Sequence, residues 1–234
     1  MSHERHPLRG IALMVFAVFM FSSMDACAKW MVSHGYAVGP LVWARYAVHL
    51  ALMILLLGPR HRLDLVRTRR PALHLLRGLL LLGCTGFFYA ALQHLPLAEA
   101  TAINFVGPVL VTLLSGWVLH EQVSRRQWAA VLLGFVGVLV IVRPGGQVFT
   151  PAVALPLAVA LCFSGYQVVT RKVAGRENPV ASLFWTAMIG TACTSLLLPW
   201  TWVTPTWTQA AVMVAMGGMG GLGHFSLIRA VEHT

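Results

Sequence analysis

The chain has 234 residues, of which 58% are hydrophobic and 10% charged, and its formal net charge is +10. A water-soluble domain carries about a quarter of its residues charged, so this composition excludes an ordinary soluble globular fold. The basic residues lie in short clusters between long apolar runs rather than on one soluble face. That excludes a nucleic-acid binder and makes the cations signals of membrane topology.

The apolar runs predict membrane helices near 10–30, 40–58, 73–94, 98–119, 127–143, 151–170, 180–200 and 208–231. Each has about the 17–25 residues that a bilayer crossing requires. The fold class expected is an all-α integral membrane protein, a multi-span helical bundle.

The first span ends in FSSMDACAKW, residues 21–30, which places Asp25 and Lys29 one helical turn apart in a segment that otherwise suits lipid. A signal peptide is the rival reading of this span. Arg5 and Arg9 would form its basic region, and Ala26-Cys27-Ala28 resembles a small-residue cleavage site. Cleavage would discard the charged pair, and a span this long before another span reads as a retained helix.

The second span carries Arg45 near its start, at a depth similar to that of Asp25 and Lys29. A charge in hydrocarbon costs about 2.5–3.5 kcal/mol on insertion scales, so such groups face one another or a cavity. Two readings stand for Asp25, Lys29 and Arg45. They form an interfacial cluster that locks the first two helices, or they line the outward entrance and bind a charged part of a substrate. Lys29 and Arg45 are long enough to snorkel, which keeps the first reading open.

Tyr89 and Asn104 bring polar groups into the third and fourth spans, where they either bind substrate or make packing hydrogen bonds. Glu99 follows Pro96 at the start of the fourth span and suits the helix dipole there. Glu121, Arg125 and Arg126 are expected to anchor the loop that follows. In the fifth span Gly134 and Gly137 are expected to serve close packing. Tyr166 and Gln167 place polar groups in the sixth, where they are expected to line the substrate path.

The eighth span contains Gly218-Met219-Gly220-Gly221-Leu222-Gly223, which fits GxGxxG. That fingerprint belongs to a strand–turn–helix unit, whereas here it interrupts a membrane span. Gly217 and Gly221 instead form a small-xxx-small face for close helix approach. The four cysteines fall inside predicted helices without a CxxC pair and read as small apolar residues. His120-Glu121 lacks the second histidine of a zinc helix, so neither metal nor cofactor is expected.

Orientation follows from the cations. With the N-terminus cytoplasmic, fourteen of the seventeen Lys and Arg fall on inside segments, Arg77 among them, leaving Lys29, Arg45 and Arg143 outside. The stretch 199–209 has no charge and three Trp, as an interfacial aromatic belt does.

Internal similarity adds a repeat. Ala91-Leu92-Gln93-His94-Leu95 closes the third span and Ala230-Val231-Glu232-His233-Thr234 the eighth, while Phe21-Ser22-Ser23 aligns with Phe163-Ser164-Gly165. This alignment pairs Asp25 with Gln167, Lys29 with Arg171 and Trp43 with Trp185. A unit starting at the first and sixth spans holds five helices, so the second copy enters the membrane from the opposite side. Inverted copies of this kind support alternating access.

The five-helix repeat, the Asp-x-x-x-Lys end of the first helix, Arg45 and the run YAALQHLPLAEATAINFVGPVLVTLLSGWVLHE resemble the EamA branch of the drug/metabolite transporter superfamily. The resemblance covers essentially the whole chain and is best from Phe87 to Pro144. It implies ten helices in two EamA repeats and transport of small metabolites, with amino acids or their derivatives as the substrates expected. Residues 8–144 would then form the first repeat and 151–234 an incomplete second, with three of its five helices. On this reading the chain is a truncated form lacking roughly 50–60 residues of a two-repeat transporter. The alternative is a natural eight-helix form that closes as a homodimer. The Gly217–Gly221 face is then expected to stand open to lipid or to be filled by a second chain.

The expectation is therefore a multi-pass inner-membrane secondary transporter with its N-terminus cytoplasmic, working in a lipid bilayer on a small metabolite. A non-transporting scaffold or assembly factor is the alternative. An intramembrane enzyme would need a nucleophile with its base or a metal cluster, and no such constellation stands in the sequence. Tags in the 59–71 and 171–179 loops should be inaccessible from outside intact cells, and a tag in 200–207 accessible. The reverse labelling pattern would overturn the orientation.

Overall fold

The computed structural model describes residues 7–61, 65–118, 124–142, 150–174 and 176–233. Arg5, Arg62, His120, Glu121 and Arg143, which entered the sequence reading, lie outside the described residues. The elements are α1 (Pro7–Ser33), α2 (Val38–His61), α3 (Pro71–Ala91), α4 (Leu97–Asn104), α5 (Gly107–Val118), α6 (Arg125–Val142), a 3-10 turn at Pro151–Val153, α7 (Ala154–Val173), α8 (Pro179–Thr201) and α9 (Trp207–His233). The described residues contain no strand. Hydrocarbon offers no partner to a backbone N–H or C=O, so a chain this apolar satisfies its backbone within helices.

Among the described residues seven stretches are long and apolar enough to cross a membrane, with α4 and α5 together making one of them, Leu97–Val118. Helix α6, 18 residues long, stands at the remaining predicted span and opens on Arg125 and Arg126. The protein is a multi-pass, all-helical membrane protein.

The fourth span differs from the continuous helix expected over 98–119. Its hydrogen-bond ladder tightens at Phe105, whose N–H is shared between the carbonyls of Thr101 and Ala102 at 3.2 and 3.1 Å, and Val106 reaches back only to Ile103 at 3.1 Å. The sequence cause is Pro108, which has no N–H to give the carbonyl of Asn104 and clashes with a straight continuation. The result is a short helix, a tight turn and a second helix.

The chain divides into two compact units. The first comprises residues up to Arg67 together with Pro179–Thr234, so it holds α1, α2, α8 and α9. In it α1 packs along α9, and α2 packs on both α8 and α9. Tyr36, between α1 and α2, donates its hydroxyl to the carbonyl of Val203 at 2.8 Å. Trp43 meets Trp202 edge to face with ring centroids 5.9 Å apart. The second unit, Thr68–Asn178, holds α3 to α7. There α7 packs on α3, α4 and α5, and α6 lies on α4 and α5.

Glycine sets the spacing in the first unit. A Cβ added at Gly217 would overlap the Val48 side chain and come within 3.3 Å of the Ala44 carbonyl, and one at Gly190 would overlap the Tyr46 ring. At Gly221 a Cβ would stand 3.2 Å from His49, and at Gly223 2.8 Å from Phe21. The small-xxx-small reading of α9 therefore holds, but the expectation that this face stands open to lipid or takes a second chain does not: α2 and α1 of the same chain fill it. Gly134 and Gly137 correct the other glycine expectation, since a Cβ at either position meets nothing within 4 Å among the described residues.

This difference generates a test. Gly217→Val and Gly190→Leu should each destabilise the protein by about 1–3 kcal/mol, the usual cost of overpacking, and Gly134→Val should not. Thermal unfolding midpoints in detergent would check it. Equal midpoints for all three variants would show that the α2 contacts do not set the spacing.

Candidate functional site

In the first unit Asp25 and Lys29 lie half-buried one turn apart on α1, and Arg45 is half-buried on α2. Arg45 extends toward the glycine stripe of α9. A Cβ at Gly220 would lie 3.9 Å from its Nε and 3.4 Å from the Met24 sulfur, beside Asp25. Arg45 is also the cation whose charge acts on the Asp25 carboxylate and on the His49 ring. The structure thus brings Arg45 of α2 close enough for its charge to act on Asp25 of α1, with α9 supplying the room by having no side chain at Gly220.

Two histidines that sequence reasoning passed over belong to the same cluster. His49 stands one turn after Arg45 and is only 7% exposed. Its ring stacks parallel to that of His224 on α9, with centroids 5.9 Å apart and 7° between the planes. Phe21 meets His224 edge-on at 4.9 Å. The Arg45/His49 spacing repeats that of Asp25/Lys29, and this was the signal available in the sequence. The pairing of His49 with His224 spans distant parts of the chain and had none.

The second unit holds the other candidates. Tyr89 is fully buried on α3. Asn104 is the last residue of α4, at the break, and its Oδ1 is buried with no hydrogen-bond partner among the described residues. Ser164 on α7 donates to the Gly107 carbonyl at 3.2 Å, tying α7 to that break. Gln167 is half-buried on α7.

Tyr166 is engaged differently from a free lining residue. Arg77, counted above with the inside-segment charges, is buried within α3 at 5% exposure. It donates from Nη2 to the Tyr166 hydroxyl at 2.8 Å and from Nε to Thr170 Oγ1 at 2.9 Å. Its guanidinium also lies 4.8 Å above the Tyr166 ring. Nearby, His74 Nε2 stands 3.8 Å from Glu177, whose other carboxylate oxygen accepts the Arg69 N–H at 3.1 Å. Arg171 donates to Ser115 Oγ at 3.2 Å, joining α7 to α5.

The polar groups of this unit staple its helices together. Glu99 stands in the first turn of α4, as dipole stabilisation requires. The four cysteines are free thiols. Among the described residues no three His, Cys, Asp or Glu side chains group as a metal site. Arg77→Met would leave the buried Tyr166 hydroxyl and the half-buried Thr170 hydroxyl without their donor, at about 1–3 kcal/mol for a stranded buried group. A fall in the unfolding midpoint of the purified protein is expected, and an unchanged midpoint would refute the staple.

With this geometry in place, comparison with known proteins is informative. Residues 8–143 match the model of the EamA-like transporter family. The chain is 26% identical over 227 residues to an S-adenosylmethionine uptake transporter of Rickettsia prowazekii, covering 95% of this chain and 75% of that one. It is 25% identical over 233 residues to a riboflavin transporter of Vibrio cholerae, covering 98% and 78%. To a pseudopaline exporter of Pseudomonas aeruginosa it is 30% identical over 229 residues, covering 96% and 78%. A solved crystal structure, 22% identical, shares the fold with a TM-score of 0.70 over 97% of this chain and 78% of that one. The long apolar helices, the family match and these relatives agree: the chain belongs to the EamA-like transporter family.

Proposed function

We propose that this protein is an inner-membrane secondary transporter of small organic metabolites, such as amino acids or their derivatives. It works by alternating access between two inverted repeats, residues 8–144 and 151–234. The observation that carries the proposal is the ionisable cluster of Asp25, Lys29 and Arg45, joined by His49 and His224. Ionisable groups within membrane spans are costly and mark substrate pathways. Relatives whose names specify S-adenosylmethionine, riboflavin and pseudopaline support small, polar-bearing organic molecules as the cargo.

Helix pairing supports the inverted repeat. Numbering the spans along the chain, the first packs on the eighth in one unit and the third on the sixth in the other. The correspondence of first with sixth and third with eighth converts one pair into the other. It also maps the second span onto the seventh, and these pack together as α2 and α8. The matched tryptophans behave alike: Trp43 donates to Ser195 on α8 at 2.9 Å, and Trp185 donates to the Val66 carbonyl just beyond α2 at 3.1 Å. The family match over 8–143 supports the boundary of the first repeat.

In this scheme Asp25, Lys29 and Arg45 recognise charged groups of the substrate. Gln167 and Asn104 supply uncharged hydrogen-bonding groups, while Tyr89 and Tyr166 hold the helices that carry them. Purified protein in liposomes, tested against a metabolite panel, should show substrate-dependent flux. Asp25→Asn should lower that flux at least tenfold at normal membrane abundance. Loss of flux in step with loss of protein would make the cluster structural, and no flux with any substrate would favour a scaffold.

A further inference from the structure

The first unit contains a cavity of about 550 Å³ among α2, α8 and α9 that the polar cluster only touches. Its walls include Leu52, Met53, Leu56, Leu183 and Phe225, and His49 is the one polar side chain lining it among the described residues. His49 is more than nine-tenths buried. Among the described residues no protein group hydrogen-bonds its ring nitrogens. A buried imidazole costs free energy unless its nitrogens are satisfied.

The ring is held in place on both sides. His224 stacks on it, and Gly221 leaves only the space that its Cδ2 edge requires. Arg45 lies one turn away, and its positive charge acts on the His49 ring. The polar end of the cavity therefore offers the His49 imidazole with the Arg45 charge behind it, and the rest is aliphatic and aromatic. Cavities of about 300–1,000 Å³ hold drug-sized ligands.

We infer that this cavity is a binding subsite for amphipathic carboxylates, with the carboxylate on the His49 imidazole at the Arg45 side and the apolar body against Leu52, Met53, Leu183 and Phe225. The inference rests on the transport reading for its purpose, since it names a substrate class, but its test reads binding rather than flux. Such a molecule could come from the aqueous phase or from the bilayer, as a fatty acid does, and the test separates the two sources.

Indole-3-acetate and dodecanoate would be titrated separately against the full chain in nanodiscs, with saturation-transfer NMR as the readout. Two variants would accompany wild type: His49→Leu removes the polar contact, and Leu56→Trp fills the cavity from a side chain that is 65% exposed and tolerates bulk. Unchanged unfolding midpoints would verify that both variants fold. Saturable indole-3-acetate binding, weakened at least tenfold in both variants, supports an aqueous ligand. Saturable binding of dodecanoate alone, with the same dependence on both variants, supports the site with a bilayer ligand. Absence of saturable binding by either probe, or binding unchanged in the two variants, overturns it. Flux without binding here would sink the subsite alone, and binding without flux would sink the transport reading alone.

Discussion

Helix α9 can lie close to α2 only where it has no side chains. At Gly217 and Gly221 the space for a Cβ is already occupied by Val48, the Ala44 carbonyl and His49. In lipid there is no hydrophobic gain from bringing two apolar helices together, so association depends on dispersion contacts at short range and on hydrogen bonds. Close approach is what makes these contacts effective. It also brings Arg45 and His49 of α2 beside His224 of α9 and Met24 of α1. The polar cluster is thus a product of backbone proximity.

The two units solve the problem of ionisable groups in hydrocarbon in different ways. In the second, Arg77 spends its donors on Tyr166 and Thr170 and its positive face on the Tyr166 ring. A fully partnered charge of this kind resists rearrangement, because breaking it strands several groups at once. In the first unit Asp25, Lys29 and Arg45 are half-buried, on a helix pair with a glycine-rich contact. On the function proposed above, recognition falls to the first unit, while Arg77 stiffens the α3–α7 pair.

Much of the fold was legible because hydropathy and length are one-dimensional properties. Long apolar runs can cross lipid only as helices, and the predicted spans coincide with α1–α9 to within a few residues. The break after Asn104 was also written locally, in Gly107-Pro108, but a hydropathy run passes over it. The charges were harder. Arg77 counts as one more cation near a loop unless it is known that Tyr166 and Thr170 face it. Asp25, Lys29 and Arg45 stood out because they interrupt apolar sequence. His49 and His224 did not, because a histidine in a span acquires meaning only through its neighbour on another helix.

The interrupted span has a mechanical consequence. A continuous helix bends by stretching or breaking ladder hydrogen bonds, so its stiffness comes from bonds it can lose. Between α4 and α5 Pro108 has already removed one such bond, and Phe105 shares its N–H between two carbonyls. Rotation of the two segments about this point therefore works mainly against backbone torsions, which are soft, and one carbonyl can take over as the other lets go. Asn104 and Gly107 sit at that joint, and Ser164 holds one side of it to α7. A displacement of α7 would act on this joint through Ser164, at the point where the span bends most easily.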